Sequence, residues 1–109
     1  MATTYKVLGQ VAPTANATLT TLYTVPGSTS TVASTLVVCN RSTSTTYRVA
    51  VRPANTAIAD QHYIVYDNYV EQYDSVFLTL GLTLAATDVV SVYVGANTVS
   101  FSLFGSEIA

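Results

Sequence analysis

The stretch that decides the fold class is VASTLVVCNRSTSTTYRVAVR, residues 32–52. It contains two candidate β-strands, Val32–Asn40 and Thr46–Arg52, separated by the polar segment Arg41–Ser44. Because antiparallel strands are commonly joined by a short turn, the sequence predicts that these two strands pair as a hairpin.

Each of these strands carries a distinct hydrophobic pattern. Tyr47, Val49 and Val51 alternate with residues of the opposite face, which is the period of a strand with one buried side. The run Leu36–Cys39 is apolar on both faces instead, which is typical of a strand in the middle of its sheet. We therefore expect the strand Val32–Asn40 to be central in its sheet.

The whole chain has the composition of an all-β protein. Its 109 residues include 18 Thr and 16 Val, whose branching at the β-carbon favours strands over helices. The remaining candidate strands are 5–11, 18–25, 62–66, 76–80, 89–94 and 99–104, with a further turn or two of helix possible at 63–73. The sequence predicts one domain, residues 1–109, that forms a single antiparallel β-sandwich of about eight strands, either Ig-like or jelly-roll-like.

The low charge of the chain excludes several classes of partner. Charged residues make up 9% of the sequence, and the formal net charge is −2. Nucleic-acid binding normally requires a basic stripe, which this sequence lacks. No run approaches the ~20 apolar residues that span a bilayer, and the start of the sequence does not resemble a secretion signal. We expect a protein made in a cytoplasm that binds neither nucleic acid nor membrane.

The sequence offers little for catalysis or metal binding. His62 lies two residues from Asp60, which would place both on one face of a strand, but a catalytic triad also needs a serine in contact with the histidine. One cysteine and one histidine cannot complete a zinc site of about four ligands, and Cys39 lies within an apolar run as a small hydrophobe would. We predict no enzyme activity, no cofactor and no metal.

Tyrosine is the residue type in clear excess, with eight copies and no tryptophan. The candidate interface or ligand residues are Tyr63, Tyr66, Tyr69, Tyr73, Asp67 and Arg52. Tyrosine offers a large apolar area with a polar tip, so an interface is the favoured interpretation. Packing of two of the four tyrosines in the core and a platform for a sugar are the alternatives.

Segments distributed over most of the chain resemble small proteins carried by tailed bacteriophages. They are YKVLGQ (5–10), TLYTVP (21–26), STLVVCNR (34–41), YRVAVRP (47–53), HYIVYD (62–67), GLTLAATDVVSVY (81–93) and FGSE (104–107). The resemblance implies a β-sandwich component of the virion, either a capsid decoration (cement) protein or an accessory module of the tail or its fibres.

These expectations combine into a hypothesis about function. The chain is expected to be a non-enzymatic structural protein of the virion, most simply a decoration protein that binds the major capsid protein or other virion proteins and stabilises the assembled head. The resemblance also implies a homo-oligomer, with a trimer favoured. The alternative is a tail-fibre or baseplate module that binds a host-surface glycan or another tail protein.

Overall fold

The computed structural model describes residues 2–109, and eight strands account for most of them. The strands are β1 (Thr3–Val11), β2 (Thr20–Thr24), β3 (Ser30–Asn40), β4 (Thr45–Arg52), β5 (Tyr63–Val70), β6 (Ser75–Leu84), β7 (Val89–Val94) and β8 (Val99–Ile108). Between β4 and β5 the chain makes two short 3₁₀ turns, Pro53–Asn55 and Asp60–His62. The predicted strand count is confirmed.

The strands form two four-stranded antiparallel sheets. Sheet A has the order β1-β8-β3-β6, and sheet B has the order β2-β7-β4-β5. The pairs β1–β8, β2–β7, β3–β6 and β4–β5 are nested, as if one long hairpin had been rolled into a sandwich. This order is that of a jelly roll, whereas an immunoglobulin sandwich has a different arrangement of strands. The fold is therefore the jelly-roll form of the predicted β-sandwich.

The predicted hairpin between the third and fourth strands is wrong. β3 lies between β8 and β6 in sheet A, which confirms its central position, but β4 lies between β7 and β5 in sheet B. The polar segment between them crosses from one sheet to the other. The physical reason is that both strands have a strongly apolar face, and these faces bury more surface by packing against each other across the core.

Asn40 holds this crossover in place. Its buried side-chain amide donates to the carbonyl oxygens of Thr43 and Glu71 at 2.8 and 3.1 Å, and its side-chain oxygen accepts from the Ser42 N–H and the Thr98 hydroxyl. A polar side chain buried in this way is stable only when its hydrogen bonds are satisfied. Asn40 therefore marks the point where the chain changes sheet.

The core lies between the two sheets. Leu36 and Val38 from β3, together with Phe101 from β8, pack towards Tyr47 and the neighbouring valines of sheet B. The Tyr47 and Phe101 rings meet edge to face, with their centroids 6.2 Å apart. Within residues 2–109, every buried side-chain nitrogen or oxygen has a hydrogen-bond partner. The sandwich is thus closed by complementary apolar faces with few polar exceptions.

One polar connection also joins the sheets near the chain termini. The hydroxyl of Tyr23 on β2 donates to Glu107 Oε2 at 2.5 Å and lies 2.8 Å from Thr31 Oγ1, both in sheet A. Burial, followed by the hydrogen bond to Glu107, raises the pKa of Tyr23 to about 12. The hydrogen bond from Tyr23, followed by the one from Lys6, lowers the pKa of Glu107. This cluster links β1, β2, β3 and β8.

Several strand predictions require correction at β-bulges. Strict alternation along the candidate strand 18–25 would place Leu22 and Tyr23 on opposite faces of the sheet. Both side chains are buried instead, because the β2–β7 register shifts between Thr21 and Tyr23. The candidate strand 76–80 stops before Gly81, yet β6 continues through this glycine to Leu84. Cys39 is only partly buried and lies on the outer face of sheet A. Bulges leave no clear mark in a sequence where strand and turn residues are so similar.

Candidate functional surfaces on the two outer faces

Sheet A presents an outer face without charge. Directly paired residues of adjacent strands share a face, so the register identifies the outward positions outside the bulges. These positions are Thr3, Tyr5, Val7 and Gln10 on β1; Ser30, Val32, Thr35, Val37 and Cys39 on β3; Ser75, Phe77, Thr79 and Thr83 on β6; and Ser100, Ser102, Phe104, Ser106 and Ile108 on β8. Among these described positions there is no Asp, Glu, Lys, Arg or His. We call this surface the uncharged face.

The uncharged face exposes large apolar side chains. Tyr5 is 84% exposed and Phe77 is 70% exposed, and Val7 and Val32 are also open to solvent. Around them the face carries small hydroxyl side chains, which can donate and accept hydrogen bonds without a charge. Exposed aromatic groups on a surface this poor in charge are typical of a surface that meets another protein.

A shallow concavity crosses the uncharged face where several bulges coincide. The register shifts between Val7 and Gly9 on β1 and between Ala33 and Thr35 on β3, both beside Gly105. Because bulges increase twist and bend a strand, aligned bulges bend the whole sheet. The concavity has a volume of about 540 Å³. Its lining residues are Tyr5, Lys6, Val7, Val32, Ser34, Phe104, Gly105 and Ser106. The charge of Lys6 is paired with Glu107 at 3.2 Å.

The outer face of sheet B carries a cluster of tyrosines around Arg48. Arg48 Nε donates to Asp67 Oδ1 at 2.6 Å, and its Nη2 donates to Asp67 Oδ2 at 3.3 Å. The guanidinium carbon lies over the rings of Tyr66 and Tyr93, at 4.1 and 4.2 Å from their centroids, and 5.9 Å from that of Tyr63. We call Arg48, Tyr63, Tyr66, Asp67 and Tyr93 the arginine–tyrosine cluster.

The charges of this cluster stabilise each other. The hydrogen bonds from Arg48 hold the pKa of Asp67 below its usual value, and the same bonds raise the pKa of Arg48. Asp67 and Arg48 are thus both ionised at neutral pH and form a bidentate ion pair. The two hydrogen bonds fix the plane of the guanidinium group. The tyrosine rings that contact the guanidinium are held by the same pair.

Bulges in β5 bring the cluster together. The β4–β5 register shifts between Tyr47 and Val49, where Asp67 has a positive φ of 50°. A strict alternation would place Tyr63 and Tyr66 on opposite faces, but the rings meet edge to face at 5.0 Å. The predicted end of this strand at Tyr66 is therefore wrong, since the strand continues through the bulge to Val70.

The structure separates the other predicted site residues from this cluster. The Tyr69 hydroxyl lies 2.9 Å from Ser44 Oγ, and Tyr73 is an exposed turn residue. Arg52 Nε donates to Ser91 Oγ, and its Nη1 donates to the Thr56 carbonyl oxygen at 2.9 Å, so that it braces the following loop. None of the four predicted tyrosines belongs to the core, so the core-packing alternative is wrong; the buried tyrosines are Tyr23 and Tyr47.

Two residues of the arginine–tyrosine cluster, Arg48 and Tyr93, were not among the predicted site residues. They are paired across β4 and β7, a contact that sequence order does not reveal. The uncharged face was missed as well, although one signal was present. Phe77 alternates with the apolar residues Val76 and Leu78, and a large aromatic residue on the outward side of a strand suggests a contact surface.

Beside the cluster lies a second concavity of about 400 Å³, lined by Asp60, Tyr63 and Tyr66. Asp60 and His62 lie in a 3₁₀ turn, not on a strand, and His62 Nδ1 accepts a hydrogen bond from the Ala59 N–H at 3.1 Å.

In the part of the chain that the structure describes, no three His, Cys, Asp or Glu side chains are grouped to hold a metal ion. Over the same residues, no helix has the length and hydropathy to cross a membrane.

Comparison with known proteins adds no relative to this description. No family model matches the chain, and no curated protein or solved structure matches it significantly.

Proposed function

We propose that the protein is a non-enzymatic structural component of a phage virion, most simply a decoration protein that attaches to the assembled head through the uncharged face. The observation that carries the proposal is the absence of charge from the paired outward positions of the described sheet A, together with the exposure of Tyr5 and Phe77. The resemblance to phage proteins supports it. The jelly-roll order supports it as an analogy, because viral capsid proteins use this architecture.

The chemistry of the uncharged face suits attachment to other coat proteins. Burying an unpaired charge at an interface is costly, and the cation that lines the concavity, Lys6, is already paired with Glu107. Apolar side chains such as Phe77 and Val32 lose their contact with water on docking, while serine and threonine hydroxyls satisfy polar groups of the partner. A partner of this surface is expected to be equally poor in charge.

The size of the uncharged face limits what one copy can achieve. Four strands at ~4.8 Å spacing and about nine residues at ~3.3 Å give a plane of roughly 19 × 30 Å. This is of the order of one side of a standard interface, ~800 Å². A single copy therefore has room for one ordinary contact. Many symmetry-related copies would add such contacts and stabilise a shell against internal pressure.

The same face would serve in the tail, so the tail-fibre or baseplate module is the second candidate. Copy number distinguishes the two. We expect quantitative mass spectrometry of purified particles to find hundreds of copies per particle for a head protein and a few for a tail protein. Particles that lack the protein should lose resistance to heat or osmotic shock, and adding the purified chain should restore it. Absence of the protein from mature particles would contradict the proposal.

Self-association is part of the proposal. The trimer that the resemblance implies would give a mass of three times the 11.5 kDa of one chain by light scattering. A chain that stays monomeric at all concentrations and on the particle would remove the trimer from the proposal and leave attachment through the uncharged face intact.

A further inference from the structure

We propose that the concavity lined by Asp60, Tyr63 and Tyr66 binds a neutral pyranose sugar. This site lies on sheet B and its 3₁₀ turn, opposite the uncharged face, so it goes beyond the attachment function and does not depend on it. Its volume of about 400 Å³ is within the ~300–1,000 Å³ range of small-molecule sites.

The two rings provide an apolar corner. Tyr63 and Tyr66 stand at 85° to each other with centroids 5.0 Å apart, and Tyr66 is 60% exposed. The C–H-rich face of a pyranose can lie against an aromatic ring, while the tyrosine hydroxyls form hydrogen bonds with the sugar or with water. Two rings at a right angle can contact a sugar from below and from the side.

The corner is rigid before any ligand arrives. Asp67 fixes the Arg48 guanidinium through two hydrogen bonds, and the guanidinium lies 4.1 Å from the centre of Tyr66. The positive φ at Asp67 that creates this arrangement is unfavourable for a residue with a side chain. A preformed site of this kind loses less entropy on binding.

Asp60 supplies the polar part of the site. Its carboxylate lines the concavity, and neither of the ion pairs within residues 2–109, Lys6–Glu107 and Arg48–Asp67, involves it. A carboxylate can accept hydrogen bonds from two adjacent sugar hydroxyls. An aromatic corner beside a free carboxylate is therefore matched to a polyol with one apolar face.

The charge of Arg48 favours a neutral ligand over a cation. Aromatic corners with a carboxylate can also hold quaternary ammonium groups. Here the guanidinium already lies over Tyr66, so a second cation at that ring would experience like-charge repulsion. A neutral sugar experiences no such repulsion.

The test is a titration of the full chain with the methyl glycosides of glucose, galactose, mannose and N-acetylglucosamine, followed by tyrosine fluorescence and by NMR shifts of the tyrosine rings. We expect saturable binding of at least one glycoside in the millimolar range. Tyr66→Ala should weaken it at least about tenfold, the effect of one lost aromatic contact. Asp60→Asn should weaken it by a similar factor while leaving the rings in place.

Matched controls separate binding from folding. Tyr73→Ala removes an exposed tyrosine that does not line the concavity, and it should leave the affinity unchanged. Each variant should keep the circular dichroism spectrum and cooperative unfolding of the parent chain. Failure of every glycoside to bind at tens of millimolar would overturn the proposal. So would equal losses in the Tyr66 and Tyr73 variants, or saturable binding of tetramethylammonium in preference to all four sugars.

Discussion

The two outer faces of this sandwich are built from the same kind of strand and differ in where charge is placed. The described outward positions of sheet A are uncharged, whereas β4 alone brings Arg48 and Arg52 to the outside of sheet B. On sheet B both arginines are occupied within the chain, by Asp67 and by Ser91 and Thr56. One face therefore exposes apolar side chains among uncharged positions, and the other carries charges that are satisfied within the chain.

Bulges shape both faces but do so differently. On sheet A they lie on β1 and β3, on either side of Gly105 in β8, and bend the sheet into a broad concavity. On sheet B they are concentrated in the edge strand β5, where they re-aim Tyr66 and Asp67 towards Arg48. A bend across a whole sheet suits a large partner, while a local change in one strand suits a small ligand.

The largest expected effect comes from the close approach of strands at Gly105. A Cβ here would overlap the Val32 carbonyl oxygen and lie 2.9 Å from Ala33 Cα and 3.1 Å from Leu8 Cδ1. Gly105→Ala should therefore lower the free energy of unfolding by about 3 kcal/mol, measured by urea denaturation. Gly27→Ala, where a Cβ meets nothing within 4 Å, is the control and should be nearly neutral. Equal effects in the two variants would show that sheet A is not tightly packed at its bend.

A charge on the uncharged face should abolish docking. Phe77→Lys places a cation at an outward position that the proposed contact would bury. We expect attachment to particles to weaken at least about 100-fold, or ~2.7 kcal/mol. Since Phe77 is exposed in the free chain, the stability should change by less than ~0.5 kcal/mol. Tyr73→Lys, at an equally exposed turn residue, should attach normally; its failure would mean that added charge alone prevents docking.

The polar connection between the sheets should make stability depend on pH at both extremes. Glu107 has a lowered pKa in the fold, so its stabilising contribution is present above its usual pKa and is lost as the pH falls below it. Tyr23 has a folded pKa of about 12 against 10.0, so its contribution is present below pH 10 and is lost as the pH rises towards 12.

Unfolding curves measured from pH 2 to 12 would test this dependence. Tyr23→Phe should remove most of the alkaline loss and cost about 1 kcal/mol at neutral pH, as the hydroxyl's hydrogen bonds disappear. Glu107→Gln should reduce the acid loss without removing it, because Asp67 also has a lowered pKa. An unchanged alkaline limb in the Tyr23 variant would show that this hydroxyl does not control it.

The smallest effect is expected on sheet B. Arg48→Ala removes the cation over Tyr66 and Tyr93, and exposed contacts of this kind contribute about 0.5–1 kcal/mol. The melting temperature should fall by a few degrees, while attachment through the uncharged face is retained. The NMR signals of the exposed Tyr66 ring should also shift, since the ring loses the guanidinium that lies over it. Loss of particle attachment in this variant would place the docking surface on the wrong sheet.

The sequence was sufficient to predict the sandwich and its eight strands, because alternation such as that of Tyr47, Val49 and Val51 reports a buried face directly. It also predicted that β3 is central. The sequence did not predict which strands pair, because strands rich in valine and threonine are nearly interchangeable as neighbours in a sheet. The nested jelly-roll order depends on which apolar faces pack across the core, a property of the whole chain.

The sites were predicted only in part. The concentration of tyrosines at 63–73 pointed to the strand that carries the arginine–tyrosine cluster, and Tyr63, Tyr66 and Asp67 do lie together. Their partner Arg48 comes from a different strand, and the bulge at Asp67 that turns Tyr66 towards it leaves no trace in the alternation pattern. The uncharged face is assembled from four strands, so its lack of charge becomes visible only when their register is known.

The most direct test of the central claim is a map of the intact particle at side-chain resolution. The account predicts that the Phe77 and Tyr5 rings are buried against a neighbouring coat protein and that the arginine–tyrosine cluster faces solvent. A map in which sheet A faces solvent while sheet B contacts the shell would contradict it.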